Sequence, residues 1–364
     1  MRAIKKILLG LAVTSIVQSS FVFASVGPAT DLLVPGVSRF KTTQFIETAS
    51  RRQKIEEQVR ILELNRNNVN ENGKIMIVMY HGLGDKNGSY TRKTEDFKKD
   101  LERLYQEGYT LVSMQSYIEG TFDVPIGRTP IILTFDDGNE SNFRFLETDD
   151  GYTIDPECAV GIIDAFFEKY PDLGRHAIFY LNKDNPFGQP QYLTEKLDYL
   201  LEHGYEIGNH TMHHLSLATL DAEGIQKAIG GNVSYFASLD KAYTLTSMAL
   251  PFGERPSDKT LRNYLFEGSY QGEAYVNHLI LLVGAEPERP LYLYESSPYT
   301  LSRVQSGDGD FQLAYWLDYF ERHKSKRFYS DGDPQKISVP SEGERLTYHT
   351  ELEVYRIPVF KMGG

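Results

Sequence analysis

Ile131-Ile132-Leu133-Thr134-Phe135-Asp136-Asp137-Gly138 is a short apolar run, entered from Pro130, that stops on two carboxylates and a glycine. Its length and β-branched content predict a strand over 131–135. Runs of the same kind recur at 75–80, 177–181, 205–209, 245–250, 279–283 and 327–329. Between them lie stretches with helical periodicity. These are 94–107 with Thr94 as cap and Gly108 as stop, 156–170, 193–203 ended by Gly204, 221–239 interrupted at Gly230-Gly231, 257–266 and 312–322. Such alternation predicts an α/β fold of parallel strands joined by crossover helices. The number of repeats in one unit favours a barrel over an open sheet.

In barrels of this kind the active site sits at the C-terminal ends of the strands. His81 follows the first strand, Asp136-Asp137-Gly138 the second, His210 the fourth and Pro251-Phe252-Gly253 the fifth. Titratable and turn-forming residues therefore gather at one end of the sheet.

The rest of the chain frames this unit. Residues 1–24 read as an export signal: Arg2, Lys5 and Lys6, then an apolar run from Ile7 to Val17, then Val22-Phe23-Ala24 as a cleavage site. The run falls short of the roughly 20 residues that a membrane span needs. A secreted or extracytoplasmic location follows, in the cell envelope or outside it. Residues 25–73 form a lead with a helix over 47–65, marked by Ile55, Val59 and Leu62, and end in the breaker run Asn67–Gly73. Residues 74–330 form the catalytic domain. Residues 331–364 form a polar tail with an expected β-hairpin near 346–360.

The formal net charge of −12 argues against sequence-independent nucleic-acid binding and against docking on anionic membranes. A neutral or cationic substrate fits better. Cys158 is the one cysteine, which excludes an intramolecular disulfide and thiolate clusters. The 24 Tyr and 20 Phe would suit sugar faces if they line a cleft, although aromatic residues routinely fill cores.

His210-Thr211-Met212-His213-His214 holds three of the nine histidines. His210 and His214 are four apart, one helical turn, so both imidazoles could face one ion. Imidazole suits zinc, nickel, cobalt or copper, and a carboxylate from another strand end could be the third ligand. His213 points elsewhere. Adjacent carboxylates after a strand point in different directions, so one of Asp136 and Asp137 could bind metal while the other accepts a proton. Asp-Asp-Gly is equally common turn chemistry. Pro251-Phe252-Gly253 could expose a backbone N–H to an oxyanion.

These residues resemble the polysaccharide deacetylases of carbohydrate esterase family 4. Thr134-Phe135-Asp136-Asp137-Gly138 looks like that family's first motif. Ile207-Gly208-Asn209-His210-Thr211-Met212-His213-His214 looks like its second. The resemblance implies a distorted (β/α) barrel and one divalent metal, usually zinc, held by Asp137, His210 and His214. It implies Asp136 as the general base toward the attacking water and the Phe252 N–H as an oxyanion donor. The substrate would be an N-acetylated polysaccharide, the products acetate and a free amine.

Two departures matter. The family's third motif has an Arg where this chain has Ala249; Arg303 could supply the guanidinium from another strand. The late Leu-x-His motif that supplies the general acid is missing. Met79-Tyr80-His81-Gly82 resembles the permuted poly-N-acetylglucosamine deacetylase subgroup, in which this early His takes that role. O-deacetylation of a xylan-like glycan and a catalytically inactive glycan-binding protein remain open alternatives.

Overall fold

In the computed structural model, residues 39–184, 186–239, 241–342 and 346–358 are described. The expected export signal lies outside them. The chain divides into two units, residues 1–56 and 57–364. Helix α1 (Arg39–Arg66) forms as expected but is longer than its periodic stretch. Its Ile55, Val59 and Leu62, whose spacing marked the helix, are exposed. No helix among the described residues is long and apolar enough to cross a membrane.

The core of the second unit is one parallel sheet. Its strands are β1 (Met76–Tyr80), β2 (Tyr109–Leu111), β3 (Thr129–Phe135), β4 (Ile178–Leu181), β5 (Glu206–Asn209), β6 (Ser247–Ala249), β7 (Leu279–Leu281) and β8 (Val304–Gln305). Their order is β7-β6-β5-β4-β3-β1-β8, with β2 also paired to β3. The sheet curls, and one segment spans the seam. Leu301 bonds to both Ile280 and Leu282 beside β7, and Val304 pairs with Val78 of β1.

The two-residue period of a strand explains why nearly every position of these strands is buried. Ile131, Leu133 and Phe135 of β3, with Met76, Val78 and Tyr80 of β1, face helices α2 (Thr94–Gln106), α4 (Ala159–Lys169), α5 (Leu193–Glu202) and α7 (Leu313–Arg322). Ile77, Ile132, Ile178, Tyr180, Ala249, Leu279, Leu281 and Leu301 fill the interior, in one cluster with Met114 and Tyr117 of α3 (Met114–Glu119). The same alternation carries His81, Asp136, His210 and Arg303 to the interior side, at or just beyond their strands. The interior is tight: a Cβ on Gly208 would lie 2.3 Å from Tyr180.

Several expectations change. The cap of α2 is Lys93, with no side-chain bond, and the Thr94 hydroxyl instead donates to Gly84 O. Residues 259–265 form a 3-10 helix, and 327–329 is not a strand but makes isolated bridges to Lys74 and Asn70. The expected hairpin near 346–360 does not form. Glu353–Ile357 pairs in parallel with Lys336–Pro340, which an intervening loop permits and a tight hairpin does not; Phe360 lies outside the described residues. Ile337 and Val339 are buried in the same cluster as the barrel interior.

The Gly230-Gly231 pair does not interrupt α6 (Ala222–Ala237). It lets neighbours approach: a Cβ at 230 would lie 2.6 Å from Tyr270 Cβ, and one at 231 lies 2.5 Å from Met212 Sδ. Gly→Ala inside a helix ordinarily stabilises by about 1 kcal/mol. Here Gly230→Ala meets an atom anchored next to its own backbone, so thermal unfolding will show a loss of about 1–3 kcal/mol instead.

Candidate functional site

The site is built where strands end in left-handed backbone. A non-glycine residue with positive φ is uncommon and costs of order 1–3 kcal/mol unless its surroundings enforce it. Asp137 (φ 74°), Thr211 (61°), His214 (50°) and Phe252 (58°) all adopt it. At β3 the turn begun by Asp137 and Gly138 separates the two carboxylates. Asp136 keeps the inward parity of the strand, and Asp137 swings toward the 210–214 loop.

His210 and His214 do meet, but not on a helix. The loop after β5 brings them together through its two left-handed residues, with ring centroids 4.8 Å apart. Asp137 Oδ1 lies 3.4 Å from His210 Nε2 and 3.3 Å from His214 Nε2. The three ligand atoms lie within 4.8 Å of one another.

The decisive atom is His210 Nε2. The Nδ1 of this buried ring lies 2.8 Å from Ala249 O, a carbonyl that can only accept, so Nδ1 carries the proton. Nε2 is left as a bare lone pair, buried and without a hydrogen-bond partner. A buried acceptor without a donor is costly, and a backbone-oriented histidine with its other nitrogen free is the usual state of a metal ligand. Burial, opposed in part by Asp137, also lowers the His214 pKa and favours its neutral, ligating form. The donor set therefore fits a divalent metal such as zinc.

Beside the triad sits a buried ion pair. Arg303 Nη1 and Nη2 each donate to Asp136 at 2.7 Å. Nη1 also reaches Thr134 Oγ1 and Nε donates to Leu282 O. Burial alone would raise the Asp136 carboxyl, but the Arg303 guanidinium holds it well below the usual carboxylate range. His81 Nε2 is 3.9 Å from Asp136 Oδ2. Burial lowers the His81 pKa against the pull of both aspartates. The structure thus brings together Asp136, Asp137, His81, His210, His214 and Arg303. At Phe252 the Gly253 and Glu254 amides are taken by Leu250 O and Pro251 O, and the exposed ring packs on His214 at 4.7 Å. His213 is turned away and pairs with Asp184 at 2.9 Å.

Sequence reading missed the residues that hold the histidine loop. Asn209 Oδ1 accepts from Thr211 N and from Asn232 Nδ2, and Asn232 also donates to Leu181 O. Leu181 O accepts the His210 N–H, and Met212 N bonds to Ala228 O. Asn232 lies beside Gly230-Gly231, and a polar residue on an otherwise small, close-packed helix face was the available signal.

Residues 123–268 match the family model described as polysaccharide deacetylase. The matched stretch contains Asp136, Asp137, His210, His214 and Phe252; His81 and Arg303 lie outside it. A Bacillus subtilis (strain 168) protein described by name as a candidate polysaccharide deacetylase, YxkH, is 28% identical over 192 residues, 52% of this chain. The match spans 60% of that relative's length. Among solved structures, a Streptococcus pyogenes deacetylase, PplD, in complex with acetate matches 67% of this chain and 97% of its own, at 15% identity and TM-score 0.48. IcaB from Ammonifex degensii matches 69% of this chain and 98% of its own, at 15% identity and TM-score 0.45.

Removing Arg303 strands a buried carboxylate. Arg303→Met will lose about 3–5 kcal/mol at neutral pH by chemical denaturation. Without its counter-charge, Asp136 will have a pKa raised by burial. A group with a raised folded pKa stabilises only while protonated, so the deficit will narrow as pH falls from neutral to about 5.

Proposed function

We propose that this chain is a secreted, metal-dependent hydrolase that removes N-acetyl groups from an amino-sugar polysaccharide of the cell envelope or extracellular matrix. The observation that carries the proposal is the bare, buried Nε2 of His210 facing Asp137 and His214, beside an ionised Asp136. Asp137, His210 and His214 would hold the metal. When bound, a divalent ion there supplies Lewis acidity, which polarises a carbonyl and acidifies water.

The protein's own groups have distinct tasks. Asp136, kept ionised by Arg303, takes the proton of the attacking water. Arg303 is a positioning residue, since its guanidinium reaches Asp136 and not the open face of the site. The Phe252 N–H donates to the developing oxyanion: Pro251 has no N–H, and the next two amides of the turn are already bonded. His81 protonates the departing nitrogen. That last task favours an amide over an ester, because an amine departs only when protonated whereas an alkoxide departs more readily. The export signal read at residues 1–24 would place the enzyme outside the cytoplasm with its glycan.

Acetate release from N-acetylglucosamine oligomers and from acetylated xylan tests the reading. Zinc-loaded protein will act on the former, lose activity to a chelator and regain it with zinc. Asp136→Asn will lower kcat by about 10²–10⁴ while zinc content is unchanged. Release from xylan alone would replace the amide with an ester, and release from neither, by a protein that binds zinc, would remove the catalytic reading. His81→Ala will lower kcat on the amide by about 10² or more and spare p-nitrophenyl acetate, whose leaving group needs no proton. Equal kcat on the amide would remove His81 as the acid.

A further inference from the structure

Beside His81 lies a recess whose other lining residues take no part in the chemistry above. It is a cavity of about 150 Å³ whose lining includes His81, Tyr90, Arg92, Gln305, Asp308 and Gln312. Tyr90 is 65% exposed, yet its ring packs on the His81 imidazole with centroids 4.9 Å apart. An exposed ring held beside a reactive histidine is a surface with one apolar face presented to solvent.

The facing wall is rigid. Arg92 is buried and forks between two carboxylates. Its Nε and Nη2 donate to Asp100 at 3.0 and 2.6 Å, and its Nη1 and Nη2 donate to Asp308 at 2.9 and 3.1 Å. The Tyr80 hydroxyl donates to the same Asp100. Asp100 is buried, while the Asp308 side chain is 65% exposed. Both edges of the guanidinium are thus engaged by the protein's own carboxylates. Arg92 is therefore not an anion receptor; it fixes Asp308 at the lip of the recess.

A fixed, partly exposed carboxylate near an exposed aromatic ring suits a neutral sugar. The carboxylate accepts hydroxyl protons in directions left free by Arg92, and the ring covers the apolar C–H face of a pyranose. The acidic lip and the net charge of −12 disfavour an anionic sugar. The volume falls below the roughly 300–1,000 Å³ of pockets that enclose a whole ligand. The recess therefore accepts one sugar of a chain that continues outside it.

We propose that the recess between Tyr90 and Asp308 is a sugar subsite flanking His81, and that these two residues set the preference for an oligomeric over a monomeric neutral glycan. The chemistry at the neighbouring sugar rests on the deacetylase reading; the binding does not.

The test separates the two. The probe is an N-acetylglucosamine tetramer titrated calorimetrically into zinc-loaded full-length protein carrying Asp136→Asn. Tyr90→Ala in this background will weaken binding about tenfold, Tyr90→Trp will restore it, and Asp308→Asn will weaken it similarly. In the otherwise unaltered enzyme, Tyr90→Ala will raise KM for the tetramer about tenfold. Its kcat and its hydrolysis of p-nitrophenyl acetate will stay within about threefold, showing that His81 and the metal centre are undisturbed. Tetramer affinity unchanged by Tyr90→Ala, or no detectable binding of the tetramer by the parent, overturns the subsite. Tyr90-dependent binding without acetate release by the active protein supports the subsite and overturns the deacetylase reading instead.

Discussion

The pairing of Arg303 with Asp136 constrains much of the rest of the molecule. Both charges are buried, and removing them from water costs several kcal/mol per ion unless the geometry is good. Bidentate contacts of 2.7 Å, with Thr134 and Leu282 O taking further guanidinium protons, meet that condition. Arg303 can reach Asp136 only because its segment spans the seam of the sheet, bonded to β7 at one end and β1 at the other. The seam and the Asp136 carboxylate are thus one problem with one solution. A looser closure would leave two unpaired charges in the barrel, and a missing Arg303 would raise the pKa of the carboxyl whose ionised form the proposed reaction needs.

A second constraint is backbone strain. Four non-glycine residues at the site have positive φ, and hydrogen bonds hold the turns that contain Asp137 and Thr211. Thr211 is held through Asn209 and Asn232, His210 through Leu181 O and Ala249 O, and Asp137 through Asn182, whose amide reaches its carbonyl at 3.4 Å. Helix α6 therefore has a role beyond covering the sheet. Its glycines admit Met212 and Tyr270, and its Asn232 bonds the strand ends on which the histidine loop rests.

Much of this was legible in the sequence because two signals are local. Strand period and β-branched content located the main strands, and the residue after each strand located the site. The parity of a strand is fixed by the chain itself, so His81, Asp136 and His210 followed once the strands were placed. What failed was what depends on partners far away in the chain. Strand β2 is three residues long and β8 only two, too short for periodicity to register, and both exist because longer neighbours pair with them. Gly230-Gly231 read as a break because helix propensity is local, whereas the reason for two glycines is Tyr270 and Met212. The four-residue spacing of His210 and His214 pointed to two rings that do meet, but through the wrong geometry, a helix turn in place of a strained loop. Arg303 could be named from sequence as a candidate guanidinium, but its position across the seam depends on a closure that no local pattern encodes.

The bare nitrogen of His210 decides whether this site holds a metal. Crystals grown with zinc, measured above and below the zinc absorption edge, test it directly. An anomalous peak is expected about 2.0–2.2 Å from Asp137 Oδ1, His210 Nε2 and His214 Nε2. A map with no peak at these three atoms, from protein saturated with zinc, would contradict it, as would zinc bound at other residues.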